Sequence, residues 1–326
     1  MAESADADSV GGFGRAKSAG PKLRPPARTA SLHSVLLLTG ATGTVGLPLL
    51  RRLTATGMPV RCLVRDPRRL GAERVRVQIA LGDLGDHLSF RHALRDVDTV
   101  VHLAATIRDQ PGGSIEELNG VATWRLVRAA ERAGVRRFVF FSALGASTRS
   151  RARLMRAKAL AERAVVESSL EHVVFAPSIT YSPGDRYLRL LERMSLLPVV
   201  PLSGSAKATY QPIWAEDVAD CVMAALPHGT EFGTRFELAG PETLTYQDIV
   251  ETAVRSFGRR RPLVRVPIGV TRRFLQAVEL LTGPAAFATW DEAELFEVPM
   301  TSRHGTADAE RLGVMPKAMR AVLGTG

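Results

Sequence analysis

Residues 35–46 read VLLLTGATGTVG, and no other stretch constrains the fold so tightly. Val35–Leu38 is a short apolar run, Thr39 and Gly40 end it, and a helical pattern starts near Thr44. Strand, glycine turn and helix are the context a dinucleotide-binding loop needs. Gly40, Gly43 and Gly46 are spaced GxxGxxG. Gly40 lets the chain leave the strand sharply, Gly43 lets the backbone approach a pyrophosphate, and Gly46 lets the helix sit close to the sheet. The helix start supplies N–H groups and partial positive charge to phosphates. Thr39, Gly40, Thr42, Gly43, Thr44, Val45 and Gly46 are therefore the expected pyrophosphate cradle.

The chain beyond this loop alternates strand and helix at βαβ spacing, which predicts a doubly wound parallel sheet. A helix over 47–56 closes at Gly57, and PVRCLV (59–64) is the second strand. The end of that strand faces the adenosine ribose. An acid there accepts from the ribose hydroxyls of NAD, whereas an arginine pairs with the 2′-phosphate of NADP. Arg65 is the first residue past the apolar run, with Arg68 and Arg69 behind it, so NADP(H) is favoured over NAD(H). Asp66 is the counter-indication, either as a ribose acceptor or as a cap of the turn before Pro67. VRVQIA (75–80) is the third strand. Asp83, followed by Leu84, is a candidate to bind the adenine amine, or else a turn aspartate. A helix is expected over 86–95, a strand over 97–103, then the small residues Ala104 and Ala105 where the cofactor lies against the backbone. A helix over 119–132 capped by Gly134, and a strand over 137–141 ending at Ser142, complete the first half.

Residues 1–33 carry no apolar period and read as a disordered tail, leaving 34–326 as the folded part. The net charge of +10 is spread as arginine over several helices rather than gathered in a block. No aromatic–basic platform accompanies it, which argues against nucleic acid. Cys62 and Cys221 stand in apolar segments and read as buried thiols, and the histidines have no ligand spacing, so no metal is expected. No apolar run is long enough to span a bilayer, and a cytoplasmic location is the expectation.

TGATGTVG, VRDP, GDL, VVHLAA, VRRFVFFSALGA, AKALAE, DVAD and FELAGPETLTYQDIV, in that order, resemble the extended or atypical short-chain dehydrogenases/reductases. The nearest subgroup is NmrA-like and is similar to the Rossmann-fold accessory subunit of respiratory complex I. The resemblance implies a Rossmann fold, an NAD(P) cofactor, and a serine, a tyrosine and a lysine for proton transfer and substrate orientation. Ser142 matches the serine and Lys158 the lysine, which also holds the nicotinamide ribose. Leu154 stands where the tyrosine is expected, four residues before Lys158. Other donors are Tyr181 in ITYSPGD, Tyr187, or a water. The arginine that relatives often carry before Pro177 is Ala176 here.

A small C-terminal α/β region, mainly 177–215 and 235–326, is expected to hold substrate or partner. Residues 262–300 are apolar and carry no polar set suited to a sugar. They fit a hydrophobic small molecule, a protein partner or a membrane surface, with Arg272 and Arg273 keeping the last reading open. The other reading is plain core packing. The expected function is an NAD(P)H-dependent oxidoreductase acting on a hydrophobic small molecule, the alternative a non-catalytic NADPH-binding regulatory, scaffold or assembly protein.

Overall fold

A computed structural model describes residues 35–86, 88–226, 232–283 and 288–325. The 1–33 tail and residues 284–287 of GPAAFATW lie outside the described residues.

The strands β1 (Val35–Thr39), β2 (Val60–Val64), β3 (Gln78–Leu81), β4 (Val97–His102), β5 (Arg137–Phe141), β6 (Glu171–Pro177) and the strand Thr234–Leu238 form one sheet. Their order is Thr234–Leu238, β6, β5, β4, β1, β2, β3, with every pairing parallel. This is the expected doubly wound sheet. The order reverses between β1 and β4, and ligands of such sheets bind in the crevice beyond the strand ends at that point.

Helices follow as α1 (Gly46–Ala55), α2 (Ala122–Ala133), α3 (Arg153–Val166), α4 (Arg186–Met194), α5 (Ala215–Ala225), α6 (Tyr246–Ser256), α7 (Ile268–Thr282) and α8 (Trp290–Leu295). A π-helical turn, Glu117–Val121, leads into α2. Strand alternation sorts β5 between two cores. Val139 and Phe141 pack with Leu49, Leu50 and Leu53 of α1 and Val218 and Val222 of α5. Phe138 and Phe140 pack on the other face with Leu126 and Ala130 of α2 and Ala161 and Val165 of α3. On the first face Arg52 ties α1 to α5 through Asp220 at 2.6 Å and through Glu216.

The C-terminal region has its own core. Tyr246 stacks on Phe296 at 4.6 Å between ring centroids, and Tyr210 donates to the Phe296 carbonyl at 2.7 Å. Val200–Ser203 pairs in parallel with Leu263–Val266. The expected capping box opens α6, with Thr245 and Asp248 each accepting from the other's backbone N–H.

Two sequence expectations fail locally. The helix over 86–95 is absent: Asp86 accepts from Leu88 N–H at 3.0 Å, holding the chain in turns, and only His92–Leu94 forms a 3₁₀ turn. The third strand begins at Gln78 rather than 75, because 3₁₀ turns kinked at Gly71 run through Arg76. Among the described residues no helix is long and apolar enough to cross a membrane.

Candidate dinucleotide site

The crevice at the switch point is built by backbone fitting closely against backbone. Gly40 has φ +74°, and a Cβ there would lie 2.6 Å from the Ala104 nitrogen. A Cβ on Gly46 would lie 2.0 Å from the Gly40 carbonyl oxygen. These contacts leave no room for side chains and bring the start of α1 against the end of β1. Gly43 and Thr44 are exposed, Thr42 and Val45 half-buried, and no side chain caps the start of α1. The cradle and the uncapped helix start fit a pyrophosphate.

Thr39 departs from its expected place in that cradle. It is fully buried, opposite His102 in the β1–β4 register. Its hydroxyl lies 2.6 Å from His102 Nδ1, and His102 Nε2 lies 2.9 Å from the Thr123 hydroxyl. Thr123 donates to the Asn119 carbonyl at 2.7 Å, so it accepts from Nε2–H. Nδ1 is then the bare nitrogen and accepts from Thr39, which in turn accepts from Ala104 N–H at 3.4 Å. Asn119 continues the chain, accepting from Thr106 N–H at 3.0 Å and donating to the Ile115 carbonyl at 2.8 Å. Burial, with the nearby charge of Lys158, pushes His102 down to about 3, so the ring is neutral. Thr39 thus acts through the network that holds the ends of β1 and β4 together. The signal for it was two polar residues, Thr39 and His102, each ending an apolar run.

At the end of β2, where the sequence places the adenosine, Arg65 is exposed and donates to Gln110 Oε1 at 2.6 Å, with Asp83 Oδ2 at 3.9 Å. Asp66 accepts from Arg68, from the backbone N–H and from Nε, both at 3.0 Å. It therefore caps the turn, and the Arg68 guanidinium holds its carboxyl below the usual range. Asp83 uses Oδ1 to accept from Gly85 N–H at 2.9 Å, which leaves Oδ2 toward the rim. Leu84 is half-buried against the α2–α3 core, Ala104 half-buried and Ala105 exposed at the mouth. Gln110, unsuspected in the sequence, joins the rim from the loop after β4.

Of the expected catalytic residues, Ser142 and Lys158 meet at the end of β5, and no hydrogen bond among the described residues links Tyr181 to them. Ser142 lies on the α3 face of the sheet, and its hydroxyl donates to Glu162. Glu162, one turn after Lys158 on α3, also accepts from Arg235 at 2.9 Å. Lys158 is buried and donates to the Phe141 carbonyl at 2.6 Å, and burial pushes its ammonium down to about 8. Tyr181 lies apart, in the C-terminal core, its buried hydroxyl without a partner among the described residues. Burial raises its pKa well above the usual phenol value, with Asp217 and Glu242 adding to the rise. Tyr187 is sealed in the same core, packed on Phe296. Leu154 offers no proton. The sheet pleat turns the Ser142 hydroxyl to Glu162 on α3, Tyr187 packs on Phe296, and the Tyr181 hydroxyl is buried.

Between the loop after β4, the start of α3 and α8 lies a charge cluster. Arg153 contacts Glu116 at 2.6 Å, Asp109 at 3.0 Å and Asp291 at 3.2 Å, and Arg108 contacts Glu292 at 2.5 Å. Burial pushes Asp291 up to about 6. The cluster fastens α8 to the loop after β4. Beyond it α7 buries only Leu275, and Val270, Phe274 and Leu281 stand exposed on one face. Within 262–300, α7 is thus largely exposed, whereas Leu263, Leu295, Phe296 and Val298 pack against the C-terminal core.

Comparison with known proteins gives a consistent result. A family model described as NAD(P)H-binding matches residues 40–228. The mitochondrial NADH dehydrogenase [ubiquinone] 1 alpha subcomplex subunit 9 of Arabidopsis thaliana is 28% identical over 269 residues, covering 78% of this chain. The aligned part is 65% of that subunit, so the chain spans less than two thirds of its length. Sterol demethylase protein B of Methylococcus capsulatus is 29% identical, covering 76% of this chain and 81% of that protein. Among solved structures, a nucleoside-diphosphate-sugar epimerase of Staphylococcus aureus superposes with TM-score 0.70 at 20% identity, covering 88% of this chain and 99% of that one, a likeness of fold.

Proposed function

The chain belongs to the NAD(P)H-binding family, and from that membership we propose that it holds NADP(H) in the β1–β4 crevice as a bound, non-catalytic element of a protein that docks on a partner. One observation carries this reading. The position of the family acid is Leu154, the Ser142 hydroxyl is given to Glu162, and the Tyr181 hydroxyl is buried in the C-terminal core. A carbonyl reduction needs a proton donor at the reacting oxygen, and none of these side chains is free to give one. Gly40, Thr42, Gly43, Thr44, Val45 and Gly46 would take the pyrophosphate, Arg65 the 2′-phosphate, Asp83 and Leu84 the adenine, and Ala104 and Ala105 the facing ribose. Regions 177–215 and 235–326, with the exposed apolar face of α7, would receive the partner. The similarity to a respiratory complex subunit supports this reading. A cytoplasmic location is the expectation that accompanies it.

Lys158 favours a second reading. A buried ammonium is costly to keep, and its place at the end of β5 suits a nicotinamide ribose. With it the protein would pass hydride to a hydrophobic small molecule at an activated carbon, where the tyrosine matters less. The similarity to sterol demethylase protein B supports an enzyme.

Titration with NADPH and NADH, followed by nicotinamide fluorescence, tests both. NADPH is expected to bind more tightly. Arg65→Ala should weaken NADPH about 10- to 100-fold, the worth of a charge-assisted phosphate contact, and leave NADH unchanged. Equal affinities would overturn the NADP(H) preference. Bound NADPH should not be oxidised by quinones, enones or carbonyls. Turnover that Lys158→Ala abolishes would establish the second reading.

A further inference from the structure

The turn between α4 and the strand Val200–Ser203 is Leu196-Leu197-Pro198-Val199, and all four residues are exposed, Leu196 by 64%, Leu197 by 49% and Val199 by 42%. Four successive exposed apolar residues on a soluble surface call for an occupant. Their neighbour is the turn that follows α6, whose sequence is Gly258-Arg259-Arg260-Arg261-Pro262. The two turns form one unit. Val200 N–H donates to the Pro262 carbonyl at 2.9 Å, Arg259 donates to the Ser195 hydroxyl at 3.2 Å, and Arg261 donates to the Ser195 carbonyl at 3.0 Å. The apolar tip is therefore anchored to the arginines rather than merely near them.

A shallow cleft of about 110 Å³ opens beside the tip, lined in part by Arg255, Arg259, Arg260, Arg261 and Glu251. Glu251 is paired with Arg255 at 2.5 Å. Arg259, Arg260 and Arg261 have no carboxylate within ion-pair distance among the described residues. Arg193, in the last turn of α4, adds a further exposed guanidinium at the base of the tip. An apolar point with unneutralised guanidinium groups around it matches an interface that is anionic at its surface and apolar beneath.

We propose that the Leu196–Val199 tip and the Arg255–Arg261 cleft dock the protein on an anionic lipid bilayer, with the tip among the acyl chains and the arginines on lipid phosphates. The patch is separate from the dinucleotide crevice and does not depend on its reading. Charge complementarity selects this occupant. A second copy would set arginine against arginine. A nucleic acid would leave the apolar tip unused, with no aromatic ring there to stack on a base. Free phosphate would fill the cleft but not cover the leucines.

Vesicle flotation of the full chain tests the proposal. Binding is expected to phosphatidylcholine vesicles doped with phosphatidylglycerol, not to phosphatidylcholine alone, and should weaken as salt rises. Arg260→Gln should reduce binding roughly fivefold, the usual worth of one basic residue at an anionic surface. Leu197→Asp should reduce it at least about tenfold. Both positions are exposed, so NADPH affinity and the thermal midpoint should match the parent. In a third variant, Leu197→Trp, the added fluorescence should shift to the blue with anionic vesicles only. Equal binding to both vesicle types, no binding, or binding indifferent to Leu197→Asp would overturn the proposal. So would capture by polyglutamate that competes with vesicles and ignores Leu197, which would reassign the cleft to a soluble acidic protein. Were Leu197→Asp to unfold the chain, the presence or absence of the blue shift would decide alone.

Discussion

Gly46→Ala is expected to abolish measurable dinucleotide binding and to lower stability by about 3 kcal/mol, the range of severe overpacking. The new Cβ would stand 2.0 Å from the Gly40 carbonyl oxygen and 2.8 Å from the Ala41 carbonyl carbon. Both obstacles are backbone, so no rotamer change relieves them. The start of α1 would have to retreat, and α1 is fixed behind by buried Leu49, Leu50 and Leu53 and by the Arg52 contacts to α5. Gly43→Ala makes the informative contrast. Its Cβ would meet only the Gly40 oxygen, at 3.2 Å, on an exposed stretch. That variant should keep the parent's thermal midpoint within a degree or two yet bind NADPH at least about tenfold more weakly, because the Cβ occupies the space the phosphates approach. Thermal unfolding and NADPH titration on the two variants separate the roles. A Gly46→Ala protein as stable as the parent would remove the close-packing argument, and a Gly43→Ala protein with parental affinity would remove the phosphate cradle.

How far the sequence could be read depended on whether a signal was local. The strand predicted over 137–141 is observed as Arg137–Phe141, because the run of four apolar residues, Phe138 to Phe141, between Gly134 and Ser142 leaves little choice. Gly134 ends α2 with φ +75°, and Thr245 and Asp248 form their box, since each needs only its own neighbours. The helix expected over 86–95 had helical spacing but competed with an aspartate that bonds its own backbone, and the local bond won. Within the site, the glycines were legible because one backbone conformation demands them. The fate of Ser142 was not. Its partner Glu162 lies 20 residues on, and only the sheet pleat and the helix face together reveal that they meet. Part of that was available: alternation from Phe141 already assigns Ser142 to the α3 side, and Glu162 follows Lys158 by one helical turn. The arginine–carboxylate cluster of 108–116, 153 and 291–292 joins three distant segments, and no spacing rule in one sequence can bring those together.

The His102 network predicts a specific loss of stability in mild acid. A neutral imidazole held at about 3 in the folded chain, against an ordinary 6.5, binds fewer protons than it does unfolded. Its stabilisation is therefore complete above about pH 6.5 and is lost as pH falls toward 3, at up to about 1.4 kcal/mol per pH unit. By pH 5 the loss from this one ring is about 2 kcal/mol. Asp291 acts in the opposite sense. Its carboxyl is raised to about 6, so its burial penalty eases as it takes up a proton over the same interval, and the parent curve is flatter than His102 alone dictates. Lys158, lowered to about 8, is already charged throughout this window and adds no slope there. The comparison that isolates the ring is His102→Gln. Near pH 7.5 this variant should be less stable than the parent by about 1–3 kcal/mol, since Thr39 and Thr123 lose well-placed partners. With no ring to charge, it should lose less on acidification, so urea unfolding curves of the two proteins should converge by pH 5. Curves that stay parallel would mean that His102 titrates in the folded chain near its ordinary 6.5, and that burial does not hold the ring neutral. Affinity of the folded chain for NADPH should hold across this window even as stability declines, because the ring stays neutral until about pH 3 and keeps accepting from the Thr39 hydroxyl that fixes the end of β1 beneath Gly40.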